Sequence, residues 1–262
     1  MKTYKNKIVV ITGASSGIGR QVAIDFSKMG AKTIILISRD TKKLKDVASI
    51  IGDKSESMIC QCDISQRVEV LRSAERILNT YGNVDILVNN AGIGRLSQVK
   101  DQSLDDIEKI TAVNYYGMLY CTKSFLNSML KRNTGHIVNV ASLAASFGIP
   151  GLAAYCGSKF AVLGFSESLY HELRGTGVGI TVVSPIGVNT SFFDHESFSN
   201  QHYNRKLFLK PSAVSRAILR AATSPRLEIV VPFYMRGAVW LKETFPYLVN
   251  PFVSRTFKTN ID

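Results

Sequence analysis

Lys7-Ile-Val-Val-Ile-Thr-Gly13-Ala-Ser-Ser-Gly17-Ile-Gly19 is the stretch that decides the fold of this 262-residue chain. After Lys7, residues 8–11 are apolar and β-branched, which predicts a buried strand over residues 7–11. A glycine-rich turn follows, and helical spacing then runs to Met29 and stops at Gly30. A strand that passes through such a turn into a helix is the first half of a βαβ unit.

The rest of the chain repeats this alternation of apolar runs and amphipathic stretches. Six further strands are predicted, at residues 33–38, 57–61, 84–89, 136–141, 179–184 and 227–231. Helices are predicted at residues 18–29, 41–51, 65–81, 104–132, 153–174 and 211–223. The alternation predicts an α/β fold: a Rossmann-like, doubly wound parallel sheet of about seven strands with helices on both faces. Because no repeat or Pro/Gly-rich linker interrupts it, residues 1–262 are expected to form one domain.

Composition excludes several classes of protein. Apolar residues make up 45% of the chain, which is too many for a disordered protein, and four cysteines are too few for a disulfide scaffold. No run of about 18 uncharged apolar residues occurs, so a spanning helix is not expected. The first seven residues lead straight into a strand and leave no room for a signal peptide. We therefore expect a cytoplasmic location, with peripheral membrane association as an open alternative.

The chain carries 32 basic and 20 acidic residues, a net charge of +12. Residues 200–262 contain ten Lys or Arg against three acids, so +7 of the excess lies in the last quarter. Residues 233–262, here called the tail, mix aromatic side chains with scattered Lys and Arg. Basic surfaces attract nucleic acids, anionic membranes and acidic ligands, although such a charge also occurs on an ordinary solvated surface.

The glycine-rich turn has the context that a dinucleotide site requires. Its glycines permit a tight turn and close approach to a pyrophosphate, and the helix N-terminus supplies free N–H donors and partial positive charge. The spacing is G-x-x-x-G-x-G, and a purely structural turn is the alternative. The predicted phosphate-side residues are Gly13, Ser15, Ser16, Gly17, Ile18 and Gly19.

The same residues also match a different motif. Gly13 to Gly17 fit G-x-S-x-G, the nucleophile elbow of serine hydrolases, and a histidine partner is available downstream at His171, His195 or His202. The third glycine, Gly19, and the position on the first strand of the chain argue against this alternative.

The end of the second predicted strand bears on cofactor choice. An acid there would accept bonds from the ribose hydroxyls of NAD. Here the strand ends in Ser38 followed by Arg39, and a guanidinium beside a small hydroxyl suits a 2′-phosphate. Asp40 lies one step further into the loop. We therefore predict NADP(H) as the cofactor, with NAD(H) less favoured.

Tyr155 and Lys159 are four residues apart in a predicted helix, so they lie on one face. A cation beside a phenol is expected to lower the phenol pKa toward working pH. Such a pair arises easily by chance, but further polar residues accompany it. Ser142 ends the fifth strand, Asn114 lies in the long helix before it, and 89–92 close the fourth strand. Because these residues follow the carboxyl ends of parallel strands, they should converge on one crevice.

Taken together, these motifs resemble the short-chain dehydrogenase/reductase family, in its single-domain branch of about 250 residues. The resemblance covers roughly residues 5–232. It rests on residues 12–19, 89–92, 155–159 and 185–190, together with Asp63, Asn114 and Ser142.

The resemblance implies a carbonyl–alcohol oxidoreductase in which Asn114, Ser142, Tyr155 and Lys159 are catalytic. Tyr155 would be the general acid or base, Ser142 would hold the reacting oxygen, and Lys159 would lower the Tyr155 pKa and bind the nicotinamide ribose. Asn114 would hold a water that links Lys159 to solvent. The other implied cofactor contacts are Asp63 and Ile64 at the adenine, Asn90, Ala91 and Gly92 at its ribose, and Pro185, Val188 and Thr190 at the nicotinamide.

Two local features qualify this resemblance. The family usually has Pro-Gly after the sixth strand, whereas here Pro185 is followed by Ile186 and then Gly187, which weakens the roles of Val188 and Thr190. Cys156 is expected to be a small buried side chain rather than a redox-sensitive thiol. The cysteines and histidines show no metal-ligand spacing, so no metal is predicted.

The substrate and partners are less determined. Residues 191–210 would form a substrate lid, and its Phe192, Phe193, Phe198, Tyr203, Leu207 and Phe208 favour a hydrophobic carbonyl or alcohol, unless they are core or subunit interface. The tail could meet a membrane surface, an acyl carrier or coenzyme A, or a sister subunit in a homodimer or homotetramer. Nucleic acid is not expected. A 3-oxoacyl-carrier or CoA-type reductase and a non-catalytic NADP(H)-binding regulator remain alternatives.

Overall fold

The computed structural model describes residues 4–199, 207–224 and 226–256, with Thr256 described for its backbone alone. Seven parallel strands form one sheet in the order β3-β2-β1-β4-β5-β6-β7. The strands are β1 (Ile8–Thr12), β2 (Thr33–Ser38), β3 (Glu56–Gln61), β4 (Ile86–Asn89), β5 (Gly135–Val140), β6 (Val178–Pro185) and β7 (Glu228–Val231). The predicted fold class is thus confirmed, and each predicted strand end lies within two residues of the observed one.

Helices connect the strands and cover the sheet. They are α1 (Gly17–Lys28), α2 (Thr41–Ile51), α3 (Arg67–Tyr81), α4 (Leu104–Thr111), α5 (Gly117–Lys131), α6 (Ala153–Glu172), α7 (Pro211–Ala221), α8 (Met235–Thr244) and α9 (Pro246–Thr256). The predicted helix at 104–132 is interrupted by a π-helical turn, Ala112–Tyr116, which carries Asn114. Helices α8 and α9 lie in the tail, for which the sequence pattern predicted no helix.

Alternation along the strands divides the core into two layers. Val9 and Ile11 face one layer with residues of α1, α2 and α7, whereas Ile8 and Val10 face the other with residues of α3, α5 and α6. Both faces of the sheet are therefore covered, which explains why its strands read as continuous apolar runs.

The order of the strands positions the site. β1 lies between β2 and β4, so the chain crosses to the opposite side of the sheet after β3. Ligands of open parallel sheets bind at such a switch point, outside the carboxyl ends of the strands. Among the described residues, no helix has the length and apolar character needed to cross a membrane.

Candidate active site

A cavity of about 680 Å³ opens at the carboxyl ends of the strands, where the switch point lies. All of the predicted site residues except Gly19 and Asn114 line this cavity. Those that line it are Gly13, Ser15, Ser16, Gly17, Ile18, Ser38, Arg39, Asp63, Ile64, Asn90, Ala91, Gly92, Ser142, Tyr155, Lys159, Pro185, Val188 and Thr190.

At one end of the cavity the glycine-rich turn is packed too closely for side chains. A Cβ on Gly19 would lie 2.3 Å from the main-chain oxygen of Gly13, and a Cβ on Gly13 would lie 2.9 Å from Cα of Ala91. Gly13 and Gly17 also have φ of +66° and +53°, which favours glycine at both positions. Gly19 therefore shapes the turn from behind, although it does not line the cavity.

This turn presents a helix N-terminus to the cavity. Ser16 precedes α1 without making a side-chain capping bond, so the first N–H groups of the helix have no side-chain acceptor there. Free N–H donors at the start of a 12-residue helix suit a phosphate group. The Thr12 hydroxyl accepts bonds from the N–H groups of Asn90 (3.0 Å) and Ala91 (3.1 Å) and so ties the loop after β4 to the turn. The chemistry and shape of this end of the cavity fit a pyrophosphate.

Ser38 and Arg39 line the cavity beside this turn, whereas Asp40 does not. Asp40 caps α2: its carboxylate accepts a bond from the N–H of Lys43 at 3.0 Å, which holds its pKa below the ordinary value. Ser38 donates to the Ser15 hydroxyl at 2.9 Å. The Arg39 guanidinium lies 3.7 Å from the Asp63 carboxylate in a largely exposed ion pair.

Tyr155 and Ser142 meet near the other end of the cavity. The Ser142 hydroxyl accepts a bond from the N–H of Ala144 at 3.1 Å, which fixes its orientation and leaves its proton free to donate. Burial raises the pKa of Tyr155 to about 12, against a smaller lowering by its interaction with the Ser142 side chain. The phenol is therefore protonated at neutral pH.

We expected Lys159 to lower the pKa of Tyr155. This expectation is wrong for the protein without a bound cofactor, because the pKa of Tyr155 is raised. The Lys159 Nζ lies 5.8 Å from the centre of the Tyr155 ring and donates to the main-chain oxygen of Val140 at 2.9 Å. Burial also lowers the pKa of Lys159, to about 8, so its charge is itself costly to keep. Loss of hydration at the phenol outweighs any help from the cation.

Asn114 lies behind the cavity wall, where the π-helical turn places it. Its amide accepts a bond from the N–H of Ile93 (2.8 Å) and donates to the Ile93 oxygen and the Ser158 hydroxyl, both at 2.9 Å. A Cβ on Gly92 would lie 3.3 Å from Asn114 Oδ1 and 3.5 Å from Lys159 Nζ. Both polar atoms thus border the same small space at Gly92.

One wall of the cavity, beside Tyr155, is largely aromatic. Phe192 packs against Tyr155, with ring centres 5.3 Å apart, and against Phe193 and Phe198. Its ring also covers Gly94, where a Cβ would lie only 2.4 Å from Cζ. Phe208 lines the same wall, whereas Tyr203 lies outside the described residues.

Gly187, in the segment that departs from the family pattern, packs its backbone against this wall. A Cβ there would lie 3.0 Å from the Phe208 ring, and its oxygen accepts a bond from Leu209. Ile186 also lines the cavity. Cys156 is buried, and its sulfur accepts a bond from the N–H of Ile149 at 3.4 Å, as befits a small core side chain.

Three polar residues also line the wall, Arg95, Asp194 and His195, and the sequence assigned none of them a substrate role, although the last two lie in the predicted lid at 191–210. Arg95 lies in a loop and Asp194 ends a short 3₁₀ turn, residues 191–194, so neither periodicity nor a motif marks these side chains. Arg95 lies 3.6 Å from the Asp106 carboxylate, and His195 bonds Ser197. Among the described residues, no group of His, Cys, Asp and Glu side chains could hold a metal ion.

Comparison with known proteins agrees with this architecture. The short chain dehydrogenase family profile matches residues 7–201. An uncharacterised oxidoreductase of Staphylococcus saprophyticus is 36% identical over 90% of this chain and 98% of its own. Epidermal retinol dehydrogenase 2 of Mus musculus is 34% identical (94% and 80% covered), and estradiol 17-beta-dehydrogenase 11 of Homo sapiens is 33% identical (100% and 86%).

Solved structures give the same result. A short-chain dehydrogenase/reductase of Burkholderia phymatum in complex with NAD superposes with a TM-score of 0.83 at 28% identity, covering 95% of this chain and 96% of its own. A metagenomic short-chain oxidoreductase in complex with NADP gives 0.75 at 27% identity, covering 87% and 98%. The chain belongs to the short-chain dehydrogenase/reductase family. It is an oxidoreductase that acts between CH–OH and C=O groups with a nicotinamide cofactor.

Proposed function

We propose that this protein is an NADP(H)-dependent oxidoreductase that interconverts a carbonyl and a secondary alcohol on a hydrophobic substrate. One observation carries the proposal: Tyr155, Ser142 and Lys159 line a single cavity between the glycine-rich turn and an aromatic wall. The cofactor would lie from the turn toward Tyr155, with the substrate beside the Tyr155 hydroxyl and along the aromatic wall.

In this proposal each polar group acts on a stated atom. NADP(H), when bound, supplies or accepts the hydride at the substrate carbon. In reduction, the Ser142 hydroxyl donates a hydrogen bond to the carbonyl oxygen and stabilises the negative charge that develops there. The Tyr155 hydroxyl transfers its proton to that oxygen and completes the alcohol. The reverse transfers occur in oxidation.

Lys159 and Asn114 would restore the proton. A phenolate left at Tyr155 is stabilised by the nearby ammonium of Lys159, which then returns a proton to it. Asn114 would hold a water in the space at Gly92 that its Oδ1 and the Lys159 Nζ both border. Asp63 and Ile64 would contact the adenine, Asn90 to Gly92 its ribose, and Pro185, Val188 and Thr190 the nicotinamide.

The proposed preference for NADP(H) rests on which charges face the cavity. Asp40, the residue that would accept bonds from a free ribose, is used to cap α2. Arg39 is free to turn toward a 2′-phosphate because its exposed ion pair with Asp63 is worth little. A guanidinium–phosphate bond is stronger than such a pair.

The proposed substrate class rests on the lid at 191–210. Its phenylalanines give the cavity an apolar wall next to the reacting hydroxyl. Relatives named for retinol and estradiol, two lipophilic alcohols, support the same class. Arg95, Asp194 and His195 would contact a polar part of the substrate. A cytoplasmic homodimer or homotetramer of this single domain is the proposed assembly.

A screen of carbonyl compounds tests the proposal. Purified protein is mixed with NADPH and with ketones and aldehydes of increasing size and lipophilicity, and cofactor oxidation is followed by absorbance. We expect kcat/KM to rise with the apolar surface of the substrate. A 3-oxoacyl-CoA series distinguishes the acyl-type reductase. Tight NADPH binding with no turnover of any compound, in either direction, would contradict the proposal and favour a cofactor-binding regulator.

A further inference from the structure

Helices α8 and α9 expose an unusual number of aromatic side chains. Of the eight strongly exposed aromatic residues among those described, six lie between residues 233 and 252: Phe233, Tyr234, Trp240, Phe245, Tyr247 and Phe252. Leu241 and Leu248 are exposed among them. Soluble surfaces carry isolated apolar side chains, but a contiguous set of this size marks a binding surface. These eight residues are here called the aromatic patch.

The patch is spread over the outer sides of two adjoining helices. In α8, Val239 is buried and Met235, Ala238 and Lys242 are half-buried at helical spacing, so this side faces the protein. Trp240 and Leu241 are exposed on α8 away from this side, and Phe233 and Tyr234 are exposed in the turn that precedes the helix. Trp240 also contacts Phe245, the residue between α8 and α9, with ring centres 6.4 Å apart. The exposed aromatic side chains of α8 thus reach the junction with α9, where Tyr247 and Leu248 are also exposed.

The charge of this surface points to its partner. Its exposed charged side chains are Arg236 and Arg255 against one acid, Glu243, whereas the half-buried Lys242 faces Phe160. Two copies of the patch joined about a two-fold axis would bring like charges together in an apolar contact, which is unfavourable. Trp, Tyr and Phe beside Lys and Arg are instead the composition of helices that lie in the interface of an anionic bilayer.

We propose that α8 and α9 dock this protein on anionic lipid bilayers, with the aromatic patch inserted at the headgroup level and the basic side chains against lipid phosphates. Charge attraction brings the chain, with its net charge of +12, to the surface, and aromatic insertion holds it there. Helix α8 is packed against the part of the protein that carries the candidate active site. It packs on β7, and the Lys242 ammonium lies over the ring of Phe160, which follows Lys159 in α6. The proposal does not depend on the substrate.

Flotation of the full-length protein with vesicles tests this proposal. We expect binding to vesicles of mixed phosphatidylcholine and phosphatidylglycerol, weaker binding at high salt, and little binding to phosphatidylcholine alone. The triple variant Trp240→Gln/Tyr247→Gln/Phe252→Gln should bind at least about tenfold more weakly. A matched control, Val68→Gln/Leu71→Gln/Leu104→Gln, removes three apolar side chains that are 50–75% exposed elsewhere and should bind like the parent.

A second pair of variants separates local charge from overall charge. Arg236→Gln/Arg255→Gln should weaken vesicle binding by about tenfold or more at low salt. Lys45→Gln/Lys123→Gln removes the same charge from α2 and α5 and should have a much smaller effect. Equal losses in the two pairs would overturn the proposal, because net charge alone would then explain binding. Absence of vesicle binding, with a loss of oligomeric mass by light scattering in the triple variant, would assign the patch to subunit contact instead.

Discussion

Lys159 donates a hydrogen bond from its Nζ to the main-chain oxygen of Val140, at 2.9 Å, from a buried position beside Tyr155. This bond joins α6, which carries Tyr155 and Lys159, to the end of β5, which leads directly to Ser142. This bond from a buried cation thus fixes the position of α6 relative to the end of β5, the two elements that hold Tyr155 and Ser142.

The same burial makes Lys159 costly for stability. Burial lowers its pKa from 10.5 to about 8, so folding penalises its charged form at every pH below 8. The shift corresponds to about 3 kcal/mol, partly offset by the bond to Val140. Lys159→Met should therefore raise the free energy of unfolding at pH 7 while lowering turnover at least about 100-fold.

The stability difference between Lys159→Met and the parent should also change with pH. Between pH 8 and 10.5 the unfolded state still binds the proton that the folded state has released, so the parent gains stability with rising pH. The advantage of Lys159→Met should shrink across that window in denaturant titrations. An advantage that is absent at pH 7, or that grows above pH 8, would show that Lys159 is not penalised by burial.

Arg39 should decide the cofactor. Arg39→Gln is expected to lower kcat/KM with NADPH by about 10- to 100-fold, the value of a charge-assisted bond, and to leave kcat/KM with NADH nearly unchanged. Arg76→Gln, on the exposed side of α3, serves as the control of equal charge. An unchanged ratio of the two cofactors in Arg39→Gln would remove Arg39 from the 2′-phosphate site.

Two glycines should respond to alanine in opposite ways. At Gly19 a Cβ would lie 2.3 Å from the Gly13 oxygen, so Gly19→Ala must displace the turn backbone. We expect a loss of about 1–3 kcal/mol in stability and weaker NADPH binding by isothermal titration calorimetry. Gly164 in α6 is exposed with nothing within 4 Å of its Cβ position, so Gly164→Ala should gain about 0.5–1 kcal/mol. Similar effects at both sites would contradict the close packing of the turn.

His136 should make the protein sensitive to acid. Burial lowers its pKa from 6.5 to about 4, and its Nε2 bonds the Thr181 hydroxyl at 3.1 Å. As the pH falls from 6.5 to 4, the unfolded state binds a proton that the folded state does not, and about 3 kcal/mol of stability is lost. In His136→Asn the decline should be shallower by that amount, whereas the exposed control His171→Asn should follow the parent. Parallel curves for all three proteins would refute this source of acid sensitivity.

The sequence predicted the sheet well because its strands are buried on both faces and bounded by glycines and polar strand ends. The order of these elements also predicted which side chains meet, since parallel strands bring their carboxyl ends to one edge. The π-helical turn at Asn114 was not predictable, because local spacing there is still close to that of an α-helix. Arg95, Asp194 and His195 received no substrate role from the sequence, because only the folded loops show that their side chains line the cavity.

Two further features depend on burial, which sequence spacing does not report. The Tyr155–Lys159 spacing correctly placed both residues in one helix, yet the direction of the Tyr155 pKa shift follows from enclosure by Phe192 and its neighbours. The tail reads as a mixture of aromatic and basic residues, and only the packing of α8 separates its buried side from the aromatic patch.

The central claim is that Tyr155 transfers the proton, and one measurement tests it most directly. Tyr155→Phe keeps the ring and its packing but removes the hydroxyl, and Tyr170→Phe in the same helix is the matched control. With the substrate found in the screen, Tyr155→Phe should lower kcat by about a thousandfold, while NADPH affinity by calorimetry and the melting temperature remain those of the parent. Turnover by Tyr155→Phe at a rate close to that of Tyr170→Phe, with the cofactor still bound, would contradict it.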